Sequence, residues 1–135
     1  MKFQQAFGAI ILGVGALSGC VIAPTDADKS PIAAQFVVSE SPSDLYYRLT
    51  APTTDDPACS KVYRNAFYQD RGEFRIYYGA DVASLAGGTP VMMNAVYAKQ
   101  AKAGTEVVVR DTQFGLIHEK YTRKLVNYIK TGDCS

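Results

Sequence analysis

Residues 61–78 read Lys61-Val62-Tyr63-Arg64-Asn65-Ala66-Phe67-Tyr68-Gln69-Asp70-Arg71-Gly72-Glu73-Phe74-Arg75-Ile76-Tyr77-Tyr78, and this stretch decides the fold. Two runs rich in aromatic residues flank a polar turn that ends in glycine, which is the pattern of a β-hairpin. With Asp70 and Arg71 as a two-residue loop, Phe67 faces Phe74 and Tyr63 faces Tyr78. Side chains alternate across a strand, so Tyr63, Phe67, Phe74, Ile76 and Tyr78 share one side, with only Asn65 out of place. Arg64, Tyr68, Arg75 and Tyr77 share the other. That division suits an antiparallel sheet with one buried and one wet face.

Working outward, Ala83–Pro90 is a Gly-rich connection. Val91–Ala98 follows as a strand with Val91, Met93, Ala95 and Tyr97 alternating, and Thr105–Arg110 as another, with Val107 and Val109 set against Glu106, Val108 and Arg110. On the N-terminal side, Gln35–Val38 is a short strand candidate. Ser41-Pro42-Ser43-Asp44 then opens a helix: Ser41 caps, Pro42 has a suitable φ for the first position, and Asp44 reaches back. That helix carries Leu45 and Leu49 and stops near Thr50, because Pro52 disfavours helical geometry at Ala51. Phe114, Ile117, Tyr121, Leu125 and Tyr128 make an apolar stripe at spacings of three or four and predict a last helix to about Lys130, with Gly132 as its C-terminal cap. The expected fold is α+β in the order β-α-β-β-β-α, a four-stranded, mainly antiparallel sheet with two helices packed on one face.

The N-terminus carries a different message. Lys2 precedes an apolar run from Ala6 to Leu17, and Leu17-Ser18-Gly19-Cys20 closes it. A basic start, an apolar stretch and small residues at the cut describe a secretory signal. With cysteine directly after the cut, the tetrad resembles the lipobox of bacterial lipoproteins. The resemblance implies that Cys20 takes a diacylglycerol on its thiol, becomes the mature N-terminus and is acylated on its amine; no other cofactor is implied. Val21 in the next position is similar to lipoproteins sorted to the outer membrane, in a Gram-negative host. Residues from about Gln35 onward resemble small, uncharacterised proteobacterial envelope lipoproteins, through the Ser41–Asp44 helix opening, Cys59 after it, the Gly104-Thr105-Glu106-Val107 strand entry and the Gly132-Asp133-Cys134 end. By analogy of fold they resemble helix-grip or TBP-like modules.

On this reading residues 1–19 are the signal, 20–34 a lipidated flexible tether, and 35–135 a single domain. The tether holds two prolines and, fully extended, reaches up to ~45 Å from the lipid surface. A 135-residue chain less a 19-residue signal leaves 116 residues, enough for one core and not two. Loss of Lys2 from 14 basic residues leaves 13 against 13 acidic, so the mature chain is neutral and has no electrostatic footprint for nucleic acid. Lipidation of Cys20 also resolves the odd count of three cysteines, leaving Cys59 and Cys134 to pair in an oxidising periplasm.

Catalytic and metal motifs are sparse. His118 is the only histidine and sits on the polar side of a predicted helix, where it reads as a solvated residue. Catalysis would require it in a cleft beside a serine, cysteine or carboxylate. Two cysteines and one histidine do not make a metal ligand set. Asp55-Asp56 reads as a solvated turn, and Gly87-Gly88-Thr89 lacks the lysine of a phosphate loop. The most suggestive group is Arg64, Tyr68, Arg75 and Tyr77, a candidate partner-binding surface because Tyr and Arg are favoured at interfaces. The plainer account is cross-strand packing by good strand formers. The expectation is a non-enzymatic envelope lipoprotein, held to the outer membrane by its lipid and facing the periplasm, that binds or scaffolds an envelope protein. The alternative is a carrier of a lipid or glycan in a crevice between helices and sheet.

Overall fold

The computed structural model describes residues 23–80 and 91–135. In chain order these form α1 (Pro24–Ala27), β1 (Ile32–Val38), α2 (Pro42–Thr50), α3 (Pro57–Ser60), β2 (Val62–Tyr68), β3 (Glu73–Ala80), β4 (Val91–Ala101), β5 (Gly104–Asp111) and α4 (His118–Thr131). The hairpin takes the expected register through Phe67 opposite Phe74. Its turn is a 3-10 turn over Gln69–Arg71, closed by Gly72 at φ 61°, a left-handed conformation that glycine adopts without strain. The register departs at Tyr63, where a bulge places Val62 opposite Tyr78 and leaves Tyr63 46% exposed.

The sheet has five strands in the order β1-β5-β4-β3-β2, every pair antiparallel. The expected count of four is one short, because each of the five extended runs holds its own place and β1 returns to pair with β5. Four helices form among the described residues, where two were expected. The two long ones are those read from the sequence. Ser41 Oγ accepts the Asp44 N–H at 3.2 Å, Pro42 opens α2, and Thr50 ends it. Gly132, at φ 81°, caps α4 and donates its N–H to the Tyr128 carbonyl at 2.8 Å. However, α4 starts at His118 rather than near Phe114, since Gln113 and Gly115 both have left-handed backbone, at φ 60° and 68°. The first part of the expected stripe therefore lies outside the helix, and Leu116 is fully exposed.

Helices α2, α3 and α4 cover one face. Leu45, Leu49, Ala58, Leu125, Tyr128 and Ile129 pack there on Phe74, Ile76, Tyr78, Val96, Val107 and Val109. At about 25 cal/mol per Å² of apolar surface removed from water, this layer is the main stabilising element. Three polar or covalent ties fix its geometry. The Cys59 and Cys134 sulfurs lie 2.01 Å apart, a disulfide distance, tying α3 to the segment after α4. The Arg48 guanidinium grips both Glu40 carboxylate oxygens (2.9 and 2.7 Å) and donates to the Tyr128 and Ile129 carbonyls (3.0 and 2.7 Å). A cation on the last carbonyls of α4 also suits that helix's dipole. Asn94, fully buried in β4, donates to Thr122 Oγ1 of α4 at 2.8 Å.

The opposite face holds a correction. Residues 24–34, expected in a flexible tether, are built into the domain: α1 packs on the sheet, Ala27 is fully buried among Tyr77, Met92 and Ala95, and β1 begins at Ile32 instead of Gln35. The described part of the expected tether, from Ala23 onward, thus belongs to the folded domain.

One ion pair gives the fold a pH signature. Lys124 Nζ donates to Asp56 Oδ2 at 2.7 Å, and Asp56 Oδ1 caps α3 by accepting the Ala58 N–H at 3.0 Å. The Lys124 hydrogen bond, then the backbone one, holds the Asp56 carboxyl below its ordinary range. A depressed carboxylate pKa contributes stability in full above the unfolded value and loses it as pH falls through the folded one. The urea midpoint is therefore expected to drop as pH falls below about 4. Lys124→Met flattens that segment of the profile, and an unchanged slope in the variant would contradict the assignment.

Candidate functional site

Alternation along β2 and β3 puts Arg64, Tyr68, Arg75 and Tyr77 on the sheet face away from the long helices, as the hairpin register requires. All four line one open hollow of about 250 Å³. Its far wall is the N-terminal segment, through Pro24, Thr25 and Asp28. A second hollow of about 210 Å³ shares Tyr68 and Arg75 and continues past Glu73, Tyr97, Lys99 and Glu106. Together they form a trough across the sheet face, with Arg75 between them.

The four residues play different parts. Arg64 and Arg75 are exposed. Arg75 lies 5.3 Å from the Tyr97 ring centre, and Arg71 lies 4.4 Å from that of Tyr68, so stacking on aromatic faces orders two of the cations. Tyr77 corrects the expectation of a fully wet patch. It is 6% exposed beneath α1, and its hydroxyl donates to Asp28 Oδ1 at 2.7 Å. Tyr97 donates its own hydroxyl to the same oxygen. Burial, and then the bond to Asp28, pushes the Tyr77 phenol above its ordinary value, which keeps it a donor. Arg110 completes the attachment by donating to the Ser30 carbonyl at 2.6 Å.

Asp28 is the residue that sequence reasoning misses. It falls in a stretch whose prolines and lack of periodicity predict a tether. A local signal is present: Pro24 stands at the first helical position, with Asp26 two residues later, and the Asp26 carboxylate accepts the Ala23 N–H at 3.1 Å. A helix of four residues is too short to register as hydrophobic periodicity.

His118 also departs from its expected role. Instead of being solvated, its side chain is 21% exposed and its Nδ1 lies 2.8 Å from Asp111 Oδ2. Asp111 Oδ1 in turn accepts the Gln113 N–H at 2.7 Å, so the pair pins the loop that enters α4. A carboxylate, one of the neighbours that catalysis would require, is thus present beside the imidazole. Among the described residues the imidazole's hydrogen bond is to Asp111, and no hydroxyl or thiol is bonded to it. No group of three metal-ligating side chains occurs among them either.

Comparison of the chain with protein-family models, with curated proteins and with solved structures finds no match. Cys20 and the Ala83–Pro90 connection, with its Gly87-Gly88-Thr89, lie outside the described residues. No helix among the described residues is long and apolar enough to cross a membrane.

If Asp28 holds the N-terminal segment on the sheet, its removal should free that segment. Loss of two hydrogen bonds to a charged acceptor is worth about 2 kcal/mol, roughly thirtyfold in the open population. Asp28→Ala is expected to speed tryptic cleavage after the neighbouring Lys29 by about tenfold or more, with the rest of the domain intact. A cleavage rate equal to that of the parent would contradict the role.

Proposed function

We propose that this protein is a membrane-anchored envelope lipoprotein, without enzymatic activity, whose domain binds or scaffolds another envelope protein through the Arg64/Arg75 trough. The observation that carries the reading is convergence: the four Tyr and Arg side chains singled out in the sequence line a single hollow, completed by the N-terminal segment. Planar guanidinium groups and tyrosine rings, ordered before binding, suit a protein surface or an extended chain with acidic groups. The leader and Cys20 support the anchor, and through it an outer-membrane location in a Gram-negative host.

Docking of residues 24–30 changes what the anchor does. Only Val21 and Ile22 separate Cys20 from Ala23, and three chain steps span at most ~11 Å. The trough is then held close to the bilayer instead of ~45 Å above it, which favours a partner at or in the membrane. The carrier alternative requires a crevice between helices and sheet. Leu45, Leu49, Phe74, Ile76, Leu125 and Ile129 fill the centre of that layer with no more than 1% exposure, and the open groove at its edge, between α4 and Ala33-Ala34, is lined largely by polar and charged residues such as Asp111, Glu119, Arg123 and Lys130, which suits a lipid poorly.

A photo-reactive phenylalanine analogue at position 68, in the full-length protein in intact envelopes, tests the reading. It is expected to cross-link one discrete protein, with yield falling about tenfold in Arg64→Ala/Arg75→Ala. A yield indifferent to both arginines, or equal to that from a probe at exposed Lys102, would overturn it.

A further inference from the structure

We propose that a second copy of this chain pairs with the first along β1, giving a two-fold dimer with one continuous sheet built from both five-stranded halves. Three independent features of the structure lead there.

The first is the contrast between the two sheet edges. Edge strands expose unpaired N–H and C=O groups, and proteins that stay monomeric guard them with charge, proline or bulges. The β2 edge is guarded by the bulge at Tyr63 and by Arg64. The β1 edge reads Ile32-Ala33-Ala34-Gln35-Phe36-Val37-Val38, seven residues without charge or proline. Ile32 and Val37 on it are 51% and 53% exposed. Its one irregularity is confined to the Ile32/Ala34 end.

The second feature is charge. Helix α4 runs in the same direction as β1 and beside it. Its start is tied to the beginning of β1 through Asp111, which bonds His118 and donates its N–H to the Pro31 carbonyl at 3.0 Å. Its end is tied to Glu40, just beyond β1, by the Arg48 fork that also holds the Tyr128 and Ile129 carbonyls. Glu119 at one end and Lys130 at the other line an open groove between α4 and Ala33-Ala34 of β1. The Lys130 ammonium rests 4.8 Å from the Phe36 ring centre, which keeps it at the β1 edge. Two-fold antiparallel pairing of β1 with its copy makes the two α4 helices antiparallel too. Each Glu119 then meets the Lys130 of the second copy, which gives the two ends of the contact complementary charge, as an isologous interface requires, while Arg123 of the same groove falls opposite Val126 near the axis.

The third feature is the side on which the N-termini leave. The two-fold axis of an antiparallel strand pair stands perpendicular to the sheet, so equivalent faces of both copies stay on one side. Both α1 segments lie on that common face, and two lipid anchors can enter one bilayer. β1 is ~23 Å long and α4 ~21 Å, so the contact falls at the small end of specific interfaces and the affinity is expected in the micromolar range.

Sedimentation velocity of the full-length protein in mild detergent, as a function of protein concentration, tests the proposal. A monomer–dimer equilibrium is expected, weakened about tenfold or more by Val37→Lys, which places a charge on the open edge. Glu119→Lys and Lys130→Glu should each weaken it about fivefold, and the double exchange should restore it to within about twofold of the parent. All three substituted side chains are exposed, and unaltered circular dichroism is expected throughout. A protein still monomeric at ~100 μM, or a dimer indifferent to Val37→Lys, would overturn the proposal. A double exchange that stays weak would overturn the antiparallel arrangement.

Discussion

Strand β4 is buried continuously from Val91 to Val96, on both faces, and the rest of the structure answers to that constraint. Val96 and Ala98 point into the layer beneath α2 and α4, while Met92 and Ala95 point the other way, beneath α1. A two-sided strand needs two covers. Long helices supply the first, and the only chain available for the second among the described residues is the short segment from Ala23 to Pro31. Its backbone groups are satisfied locally in α1 and by the Pro31 carbonyl's bond to Asp111, and its position is set by two phenols on one carboxylate.

This arrangement links the fold to the proposed function. The segment that covers β4 also forms one wall of the trough, so the binding surface and the route to the anchor are parts of one structure. The tyrosines divide their roles accordingly. Tyr77 and Tyr97 hold the segment, whereas Tyr68 lines the part of the trough that remains open. Two rigid tyrosine anchors beneath exposed arginines describe a surface whose shape exists before any partner arrives.

Much of this is legible in the sequence, and the failures have physical causes. Strand alternation over 61–78 yields the faces of the hairpin correctly, because a period of two leaves little freedom once one pair is fixed. The exception is Tyr63, where a bulge adds one residue without any local marker. Capping chemistry locates α2 and the end of α4. The start of α4 is misplaced, at Phe114 instead of His118, because the apolar stripe continues through a left-handed turn at Gln113 and Gly115. Cys59 and Cys134 pair on grounds of parity, and the structure brings their sulfurs to bonding distance. What escapes is long-range: the pairing of β1 with β5, although its run reads as extended, the Asp111–His118 pair and the docking of Asp28. The strand and Asp28 depend on contacts between residues far apart in the chain, and the His118 pair depends on an irregular loop, none of which composition and periodicity record.

Residues 24–31 belong to the folded domain and are not a free tether. Amide hydrogen exchange of the full-length protein reports on it directly, since Ala27, Asp28, Lys29 and Ser30 all donate backbone hydrogen bonds within this segment. These four amides are expected to exchange about a hundredfold more slowly than in an unstructured chain, which corresponds to an opening cost of ~3 kcal/mol. Exchange of all four at the rate of a free chain would contradict that placement.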